Sequence, residues 1–302
     1  MGQPLPYKGG YYLWHYVPSL PGAIILLVAF IIITGLHTWR MFRTRSWFCI
    51  PFWIGSIFEI VGYIGRAAAH SATDQLGPYI IQSVLLLVAP ALFAASIYMV
   101  LGRVIVALPG GPQCSLIRPS WLTKVFVAGD VASFFVQAGG AGIMTSGDNQ
   151  STGQSVIVGG LFVQIVMFGL FVVTAVLFHV RYGRRGAQRA ESGAEEEARY
   201  GLDEDVVVPW RRILTVLYGV SALIMARSIF RVVEYLMGAD GYPLTHEWTL
   251  YVFDGVLMLG TMVIFFVWFP SNIRPAGVIS VAPTVEMTSP EAQKGEYSAS
   301  SS

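Results

Sequence analysis

Residues 21–36 read Pro-Gly-Ala-Ile-Ile-Leu-Leu-Val-Ala-Phe-Ile-Ile-Ile-Thr-Gly-Leu, a stretch that contains no charged side chain. A helix of about 20 apolar residues crosses a hydrocarbon core about 30 Å thick, so this stretch predicts a membrane-spanning helix. Six further stretches share its character. The predicted spans are residues 18–38, 48–69, 80–106, 122–145, 156–179, 212–237 and 249–269. The sequence therefore predicts an all-α, polytopic membrane protein with seven transmembrane helices.

The overall composition also indicates a membrane protein. Of the 302 residues, 54% are hydrophobic and 12% are charged, whereas about 25% of the residues in soluble domains are charged. The net charge is +1, and most charged residues lie outside the spans, so nucleic acid is not an expected partner. The sequence contains no phosphate-binding Gly-x-x-x-x-Gly-Lys loop, which argues against ATP hydrolysis by that route.

The distribution of basic residues predicts the orientation of the chain. Arginines concentrate in the loops after the first, third and fifth spans, and the opposite side carries only Lys8. Loops rich in Arg and Lys are retained in the cytoplasm, so we expect the N-terminus outside and the C-terminus in the cytoplasm. The predicted organisation is an extracellular tail over 1–17, a membrane domain over 18–272 with a flexible cytoplasmic loop at 183–210, and a disordered cytoplasmic tail over 273–302.

Polar side chains inside the spans are the candidate functional residues. The second and sixth spans each place three of them at positions i, i+4 and i+7, on one face of a helix. A charge at bilayer depth costs roughly 2.5–3.5 kcal/mol, so it is retained where it has a partner or a wet cavity. The fourth and seventh spans add further polar groups. The predicted substrate-binding cluster is Glu59, Tyr63, Arg66, Asp130, Gln137, Arg227, Arg231, Glu234 and Asp254.

Two interpretations of this cluster follow from its chemistry. As internal ties, Arg231 would pair with Glu234 on its own helix, or with Asp254 or Glu59 across helices. As a binding site, the acids would line a polar cavity and bind a cationic or hydroxylated head group. Polar contacts between membrane helices average well under about 1–2 kcal/mol, which favours the second interpretation. Pro90, inside the third span, predicts a kink that either shapes packing or leaves a free carbonyl at a cavity.

Several other classes of protein lack their signatures in this sequence. The five histidines show neither an i, i+4 pair nor a zinc-binding pattern, so we predict no catalytic residue, metal or other cofactor. The last span contains no lysine for a retinal Schiff base, which argues against an opsin. Cys49 and Cys114 fall near the cytoplasmic face, where a disulfide is not expected. A parallel repeat that relates the second span to the sixth remains an alternative architecture.

Motifs in a fixed order along the spans indicate a family. They are Glu59-x-x-Gly62-Tyr63-x-x-Arg66, Ala89-Pro90-x-x-x-Ala94-Ala95-x-x-Tyr98, Asp130 with Gln137-x-x-Gly140, Gly160-x-x-x-Gln164, Arg227-x-x-x-Arg231-x-x-Glu234-Tyr235, His246-Glu247 and Tyr251-x-Phe253-Asp254. Over about residues 15–272 the chain resembles the fungal RTA-like membrane proteins, also called lipid-translocating exporters. The resemblance implies a multi-pass protein of the plasma membrane or, alternatively, of the vacuole or another endomembrane. It also implies a link to resistance against toxic amphiphiles and to release of sphingoid long-chain bases.

The leading functional hypothesis is a transporter, not an enzyme, that exports an amphiphilic lipid such as a sphingoid base. The acids would bind the ammonium head, and apolar walls would hold the tail, so the expected partners are membrane lipids and the amphiphilic substrate. The alternative is a seven-helix sensor or regulator of membrane lipid asymmetry that signals through the basic loop and the Ser-rich tail. A membrane-embedded lipid hydrolase would need a metal or nucleophile constellation, which the scattered histidines do not form.

Overall fold

Seven long helices make up most of the structure, a computed structural model that describes residues 14, 16–71, 73–144, 150–191, 210–238 and 241–269. They are α1 (Leu20–Thr44), α2 (Ile50–Ala69), α3 (Leu76–Ala107), α4 (Pro119–Met144), α5 (Gln150–Glu191), α6 (Trp210–Leu236) and α7 (Glu247–Val267). Within the described ranges there is no strand. All seven helices are long and apolar enough to cross a membrane, which confirms the predicted fold class.

Short elements connect the long helices or interrupt them. A 3₁₀ turn at Trp47–Cys49 precedes α2, and single helical turns occur at Gly111–Cys114 and Tyr242–Thr245. Helix α7 consists of an α-helical turn at Glu247–Leu250, a π-helical segment at Tyr251–Val256 and an α-helix at Leu257–Val267. A π-helical segment widens the helix locally and occurs often at functional sites.

Most of the helices extend beyond the predicted spans, and α5 does so by the largest margin. Helix α3 begins at Leu76 rather than at residue 80, and α5 covers Gln150–Glu191 rather than 156–179. Hydropathy ends a predicted span where polar residues begin, but arginine is a good helix former and the backbone hydrogen bonds continue through it. Helix α5 therefore enters the predicted loop at 183–210. Residues 192–209 and 273–302 lie outside the described residues, and the orientation of the chain stays a prediction.

The helices surround α3, which is the most buried of the seven. It contacts α2, α4, α5 and α6, while α7 closes the bundle against α1 and α6. Ser19, just before α1, contacts Glu247 at the start of α7, and His37 contacts Met262 further along, so these two helices run in the same direction. We call the end of the bundle where α1 begins the N-terminal end. The opposite end is the C-terminal end.

Close packing between α2 and α3 sets the depth of the polar residues on α2. A Cβ atom on Gly55 would lie 2.9 Å from the Phe93 ring, and one on Gly62 would lie 2.6 Å from Leu86. These two glycines therefore let the helices approach each other closely. Glu59 lies midway between them on α2, so its side chain is held at the depth of Leu86 and the following turn of α3.

Candidate functional site

The nine predicted residues do not form one site. Eight of them are buried, and Arg231 is partly buried, but the structure distributes them over four places. Arg66 belongs to a network at the N-terminal end, and Arg227 pairs with Asp254 deeper in the bundle, beside Glu59 and Tyr63. Arg231 pairs with Glu234 on α6, and Asp130 and Gln137 line a cavity between α3, α4 and α5.

The Arg66 guanidinium has a partner at each of its three nitrogens. Its Nη2 donates to Glu247 Oε1 at 2.7 Å and to the Tyr16 hydroxyl at 3.2 Å. Its Nε donates to the Tyr251 hydroxyl at 3.1 Å, and its Nη1 donates to Gln82 Oε1 at 3.5 Å. The guanidinium also lies over the Tyr251 ring, 4.8 Å from the centroid, a favourable cation–π geometry.

Two of the partners of Arg66, Glu247 and Tyr251, are also bonded to each other and to the segment before α1. Glu247 Oε1 also accepts hydrogen bonds from the Ser19 backbone N–H at 2.7 Å and from the Tyr251 hydroxyl at 2.9 Å. The network, which we call the Arg66 network, therefore joins α2, α3, α7 and the segment before α1. A buried charge with a partner at every nitrogen, drawn from several helices, acts as a structural tie, so the first interpretation of the cluster applies to Arg66.

The Arg227 side chain links α6 to both α7 and α3. Its Nε lies 2.5 Å from Asp254 Oδ1, and both side chains are buried. Its Nη2 donates to the backbone carbonyl of Leu86 at 2.6 Å. In a regular helix that carbonyl would accept from the N–H four residues later, but that residue is Pro90, which has none. The carbonyl that the proline leaves free is thus a ligand of Arg227 rather than part of an open cavity.

Asp254 lies within the π-helical segment of α7, next to a glycine that admits a tyrosine. A Cβ atom on Gly255 would lie 2.5 Å from the Tyr63 hydroxyl oxygen, so only glycine allows this approach of α2 to α7. The Tyr63 hydroxyl is buried and has no hydrogen-bond partner among the described residues. Glu59, one helical turn before Tyr63, has both carboxylate oxygens in the same condition.

The pair between Arg231 and Glu234 stays within one helix. Arg231 Nη1 donates to Glu234 Oε2 at 2.6 Å across an i, i+3 spacing. The Arg231 guanidinium also lies 5.3 Å from the centroid of the Tyr235 ring. Of the partners considered for Arg231, the structure therefore selects the one on its own helix.

A cavity of about 110 Å³ lies between α3, α4 and α5. Its walls are mostly apolar, formed by Leu87, Val88, Ala91 and Leu92 from α3 and by Val131 and Phe134 from α4. Val131 is 48% exposed, so the rim of the cavity reaches the outer surface of the bundle. Across a membrane-spanning bundle, that surface faces lipid.

One side of the cavity is polar and has an excess of acceptors. The Tyr98 hydroxyl donates to Asp130 Oδ2 at 2.9 Å, and Gln137 Nε2 donates to Gln164 Oε1 at 3.3 Å. The other oxygen of the Asp130 carboxylate, Oδ1, and the side-chain oxygen of Gln137, Oε1, are both buried without a donor among the described residues. Ser133 lies between them but donates its proton to the Asp130 backbone carbonyl. We call this the Asp130 cavity.

Comparison with known proteins identifies the family of the chain. Residues 52–276 match the sequence profile described as RTA1 like protein. The chain belongs to the RTA1-like family. No solved structure matches it.

The relatives of this RTA1-like protein carry different names. Protoporphyrin uptake protein 1 of Saccharomyces cerevisiae is 38% identical over 85% of this chain and 91% of the relative. Protein RTA1 of the same yeast is 35% identical over 87% of this chain and 86% of its own. The sphingoid long-chain base transporter RSB1 of this yeast is 26% identical over 91% of this chain and 78% of its own.

Several residues of the Arg66 network and of the Asp130 cavity were not among those predicted. Glu247 was noted only as a motif residue, because the predicted seventh span began at residue 249 whereas α7 begins at Glu247. Tyr251 lies inside the predicted span but was also noted only as a motif residue. Tyr98 and Gln164 were not placed in the predicted cluster, because their partners Asp130 and Gln137 lie on another helix and sequence spacing does not show those contacts. Their motif positions were the available signal. Within the described part of the chain, no group of three or more His, Cys, Asp or Glu side chains could hold a metal ion.

Proposed function

We propose that this protein is a transporter that moves amphiphilic lipids across the membrane, and that the Asp130 cavity binds the lipid head group. The observation that carries the proposal is the pair of buried acceptors without donors, Asp130 Oδ1 and Gln137 Oε1, in an apolar cavity that reaches the bundle surface. A buried acceptor without a donor costs about 1–3 kcal/mol. A ligand that supplies N–H or O–H groups removes that cost.

The physics of lipid movement explains why a small polar cavity is sufficient. The hydrocarbon tail of a lipid is already in apolar surroundings, so it gains little from the protein. The barrier is the head group, since removing a polar or charged group from water without compensation costs several kcal/mol. A carboxylate and an amide at membrane depth offer a substitute for water to the head group. The tail can stay in the bilayer beyond the rim at Val131.

The charge of the cavity selects a class of cargo. The Asp130 carboxylate and the acceptor of Gln137 match an ammonium group with neighbouring hydroxyls, as a sphingoid long-chain base has. One relative is named as a transporter of such bases, and another is named for protoporphyrin uptake. A porphyrin with two carboxylates would meet a carboxylate here, and a cavity of about 110 Å³ is too small for its macrocycle. The geometry therefore favours the cationic amphiphile.

Membrane location and physiological role follow from the same proposal. We place the protein in the plasma membrane, with its N-terminus outside, because a toxic amphiphile leaves the cell by crossing that membrane. Resistance to such compounds would be the consequence. The positive-inside distribution of arginines supports this orientation.

The decisive experiment is reconstitution of the purified protein in liposomes, followed by measurement of transbilayer movement of a labelled sphingoid base. The Asp130→Asn variant keeps the shape and one acceptor but removes the charge. We expect its half-saturating lipid concentration to rise roughly 10- to 100-fold, because a hydrogen bond to a charged group contributes about 1.5–3 kcal/mol. The matched control is Asp74→Asn, which removes an exposed carboxylate between α2 and α3 and should behave as wild type.

Three outcomes would overturn the proposal. Equal movement by wild type and Asp130→Asn would remove the cavity as the site. Movement of protoporphyrin but not of the sphingoid base would assign the anionic cargo. Binding of the labelled base without movement would favour the alternative, a sensor of membrane lipid asymmetry, and deletion of residues 276–302 should then abolish signalling in cells.

A further inference from the structure

Glu59 is an acidic residue in the middle of the bundle that does not line the Asp130 cavity. Its side chain is 0% exposed, and neither of its carboxylate oxygens has a hydrogen-bond partner among the described residues. An ionised carboxylate in this condition would cost several kcal/mol after relaxation of the protein. A neutral, protonated carboxyl group costs far less.

The charged and titratable groups that face Glu59 come from three helices. Asp254 on α7 and Arg227 on α6 are within electrostatic reach of the carboxyl group. Tyr63, on the same helix as Glu59, interacts with both acids. Helices α1 and α3 contribute no charged group to this position within the described residues. Arg231 on α6 also interacts with Asp254, but its guanidinium is paired with Glu234. Among the described residues, Arg227 is therefore the cation within electrostatic reach of both acids.

That guanidinium is already engaged. Arg227 has its Nε 2.5 Å from Asp254 Oδ1 and donates from Nη2 to the Leu86 carbonyl. The ion pair with Asp254 neutralises one acid, and the Leu86 carbonyl, left free by Pro90, holds the guanidinium in that position. Glu59 is the second acid, and no cation is left for it.

We propose that Glu59 is a proton-binding site whose occupancy is linked to the partner of Arg227. With the proton bound, Glu59 is neutral and Arg227 stays with Asp254 and Leu86. On release, the proton passes to water that enters the bundle, and the Glu59 carboxylate competes with Asp254 for the guanidinium. Proton binding and the contacts between α2, α3, α6 and α7 thus change together.

The location of Leu86 connects this exchange to the Asp130 cavity. Leu86 immediately precedes Leu87 and Val88, which line the cavity wall, and it lies in the turn of α3 that Pro90 interrupts. Departure of Arg227 from the Leu86 carbonyl would leave that carbonyl without a partner and let this turn of α3 move. If the cavity transports lipid, as proposed above, a proton gradient would supply energy for the movement. This coupling rests on the proposed function, whereas the proton site does not.

Infrared spectroscopy of the purified full-length protein in lipid nanodiscs tests the proton site without any substrate. We expect a carbonyl stretching band of a protonated carboxyl group at neutral pH, and Glu59→Gln should remove it. Asp254→Asn should remove it as well, because Arg227 loses its partner and is then available to an ionised Glu59. Glu234→Gln, which changes an acid paired on its own helix, is the matched control and should leave the band unchanged.

Thermal unfolding adds an independent readout for the same variants. Because Gln resembles a protonated Glu in shape and charge, Glu59→Gln should unfold within about 0.5 kcal/mol of wild type. A strongly destabilised Glu59→Gln together with no lost band would mean that Glu59 is ionised, which overturns the proposal. A Glu59 band that persists in Asp254→Asn would overturn the link to Arg227.

Liposomes with an imposed pH gradient separate the coupling from the transport itself. Lipid movement by wild type should change several-fold with the gradient, and movement by Glu59→Gln should not respond to it. If the infrared band is lost in Glu59→Gln and Asp254→Asn but no lipid moves, the proton site is supported and the proposed transport is refuted. If the infrared band behaves as expected in the variants but the rate of lipid movement does not change with the pH gradient, the coupling between proton binding and transport is refuted.

Discussion

Arg66 and Asp130 are both ionisable side chains buried in the bundle, but their surroundings differ. Every nitrogen of Arg66 has a partner, and these bonds, with those between Glu247, Tyr251 and Ser19, join α2, α3, α7 and the segment before α1. Asp130 has one oxygen bonded to Tyr98 and another that is buried without a donor. The complete network holds helices together, whereas the incomplete one has capacity for a ligand. Burial alone does not separate the two roles.

The largest effect should come from breaking the complete network. Arg66→Ala leaves the Glu247 carboxylate and two tyrosine hydroxyls without this donor, and breaking a buried pair by removing one partner costs about 3–5 kcal/mol. We expect most of the variant to be lost as aggregate, and the remainder to show a strongly lowered Tm in detergent. Arg118→Ala, at an exposed arginine before α4, is the control. A stable Arg66→Ala protein would show that the Arg66 network does not hold the helices together and would contradict its structural role.

A double-mutant cycle tests a second structural contact, the hydrogen bond from Arg227 to the Leu86 carbonyl, which is available because Pro90 has no N–H. Arg227→Ala removes the donor to the Leu86 carbonyl, whereas Pro90→Ala supplies a backbone N–H to the same acceptor. The cost of Arg227→Ala should therefore be smaller in the Pro90→Ala background, with a coupling energy of about 0.5–3 kcal/mol. Chemical or thermal unfolding of the four proteins measures it. Strictly additive costs would mean that the proline and the arginine act separately.

A pair of neighbouring glycines tests the geometry of the Asp130 cavity. A Cβ atom on Gly160 would lie 2.7 Å from Gln137 Cγ and 3.0 Å from the Ser133 carbonyl, whereas one on Gly159 meets nothing within 4 Å. Gly160→Ala should cost about 1–3 kcal/mol by overpacking and weaken lipid binding as α4 and α5 separate. Gly159→Ala should be neutral or stabilise the helix by about 0.5–1 kcal/mol. Equal behaviour of the two variants would contradict the packing of α4 on α5.

The smallest effect should come from the pair within α6. The ion pair between Arg231 and Glu234 lies within one helix, and polar side-chain contacts in membrane proteins average about 0.6 kcal/mol. The double variant Arg231→Gln with Glu234→Gln should therefore unfold within about 1 kcal/mol of wild type and keep its binding of the labelled lipid. If a stable double variant no longer binds the lipid, Arg231 and Glu234 belong to the substrate site, as the sequence predicted.

The seven spans and the buried polar positions were predictable because both depend on local properties. A run of about 20 apolar residues has one stable environment in a membrane, and a charge inside such a run must face the protein interior. Glu59, Arg66, Asp130, Arg227 and Asp254 were recognised for this reason alone. The motifs that contain these residues, taken in their order along the chain, indicated the family, which the family match confirms.

Which of these groups meet is a property of the folded bundle. The choice of Asp254 rather than Glu59 by Arg227, the binding of the Leu86 carbonyl and the separation of Asp130 from the other acids all depend on helix rotation and depth. Those are set by close contacts such as Gly55 against Phe93 and Gly255 against Tyr63. Sequence spacing fixes which residues share a face of one helix, but a partner on another helix is selected by packing, where a shift of a few ångströms exchanges one carboxylate for another.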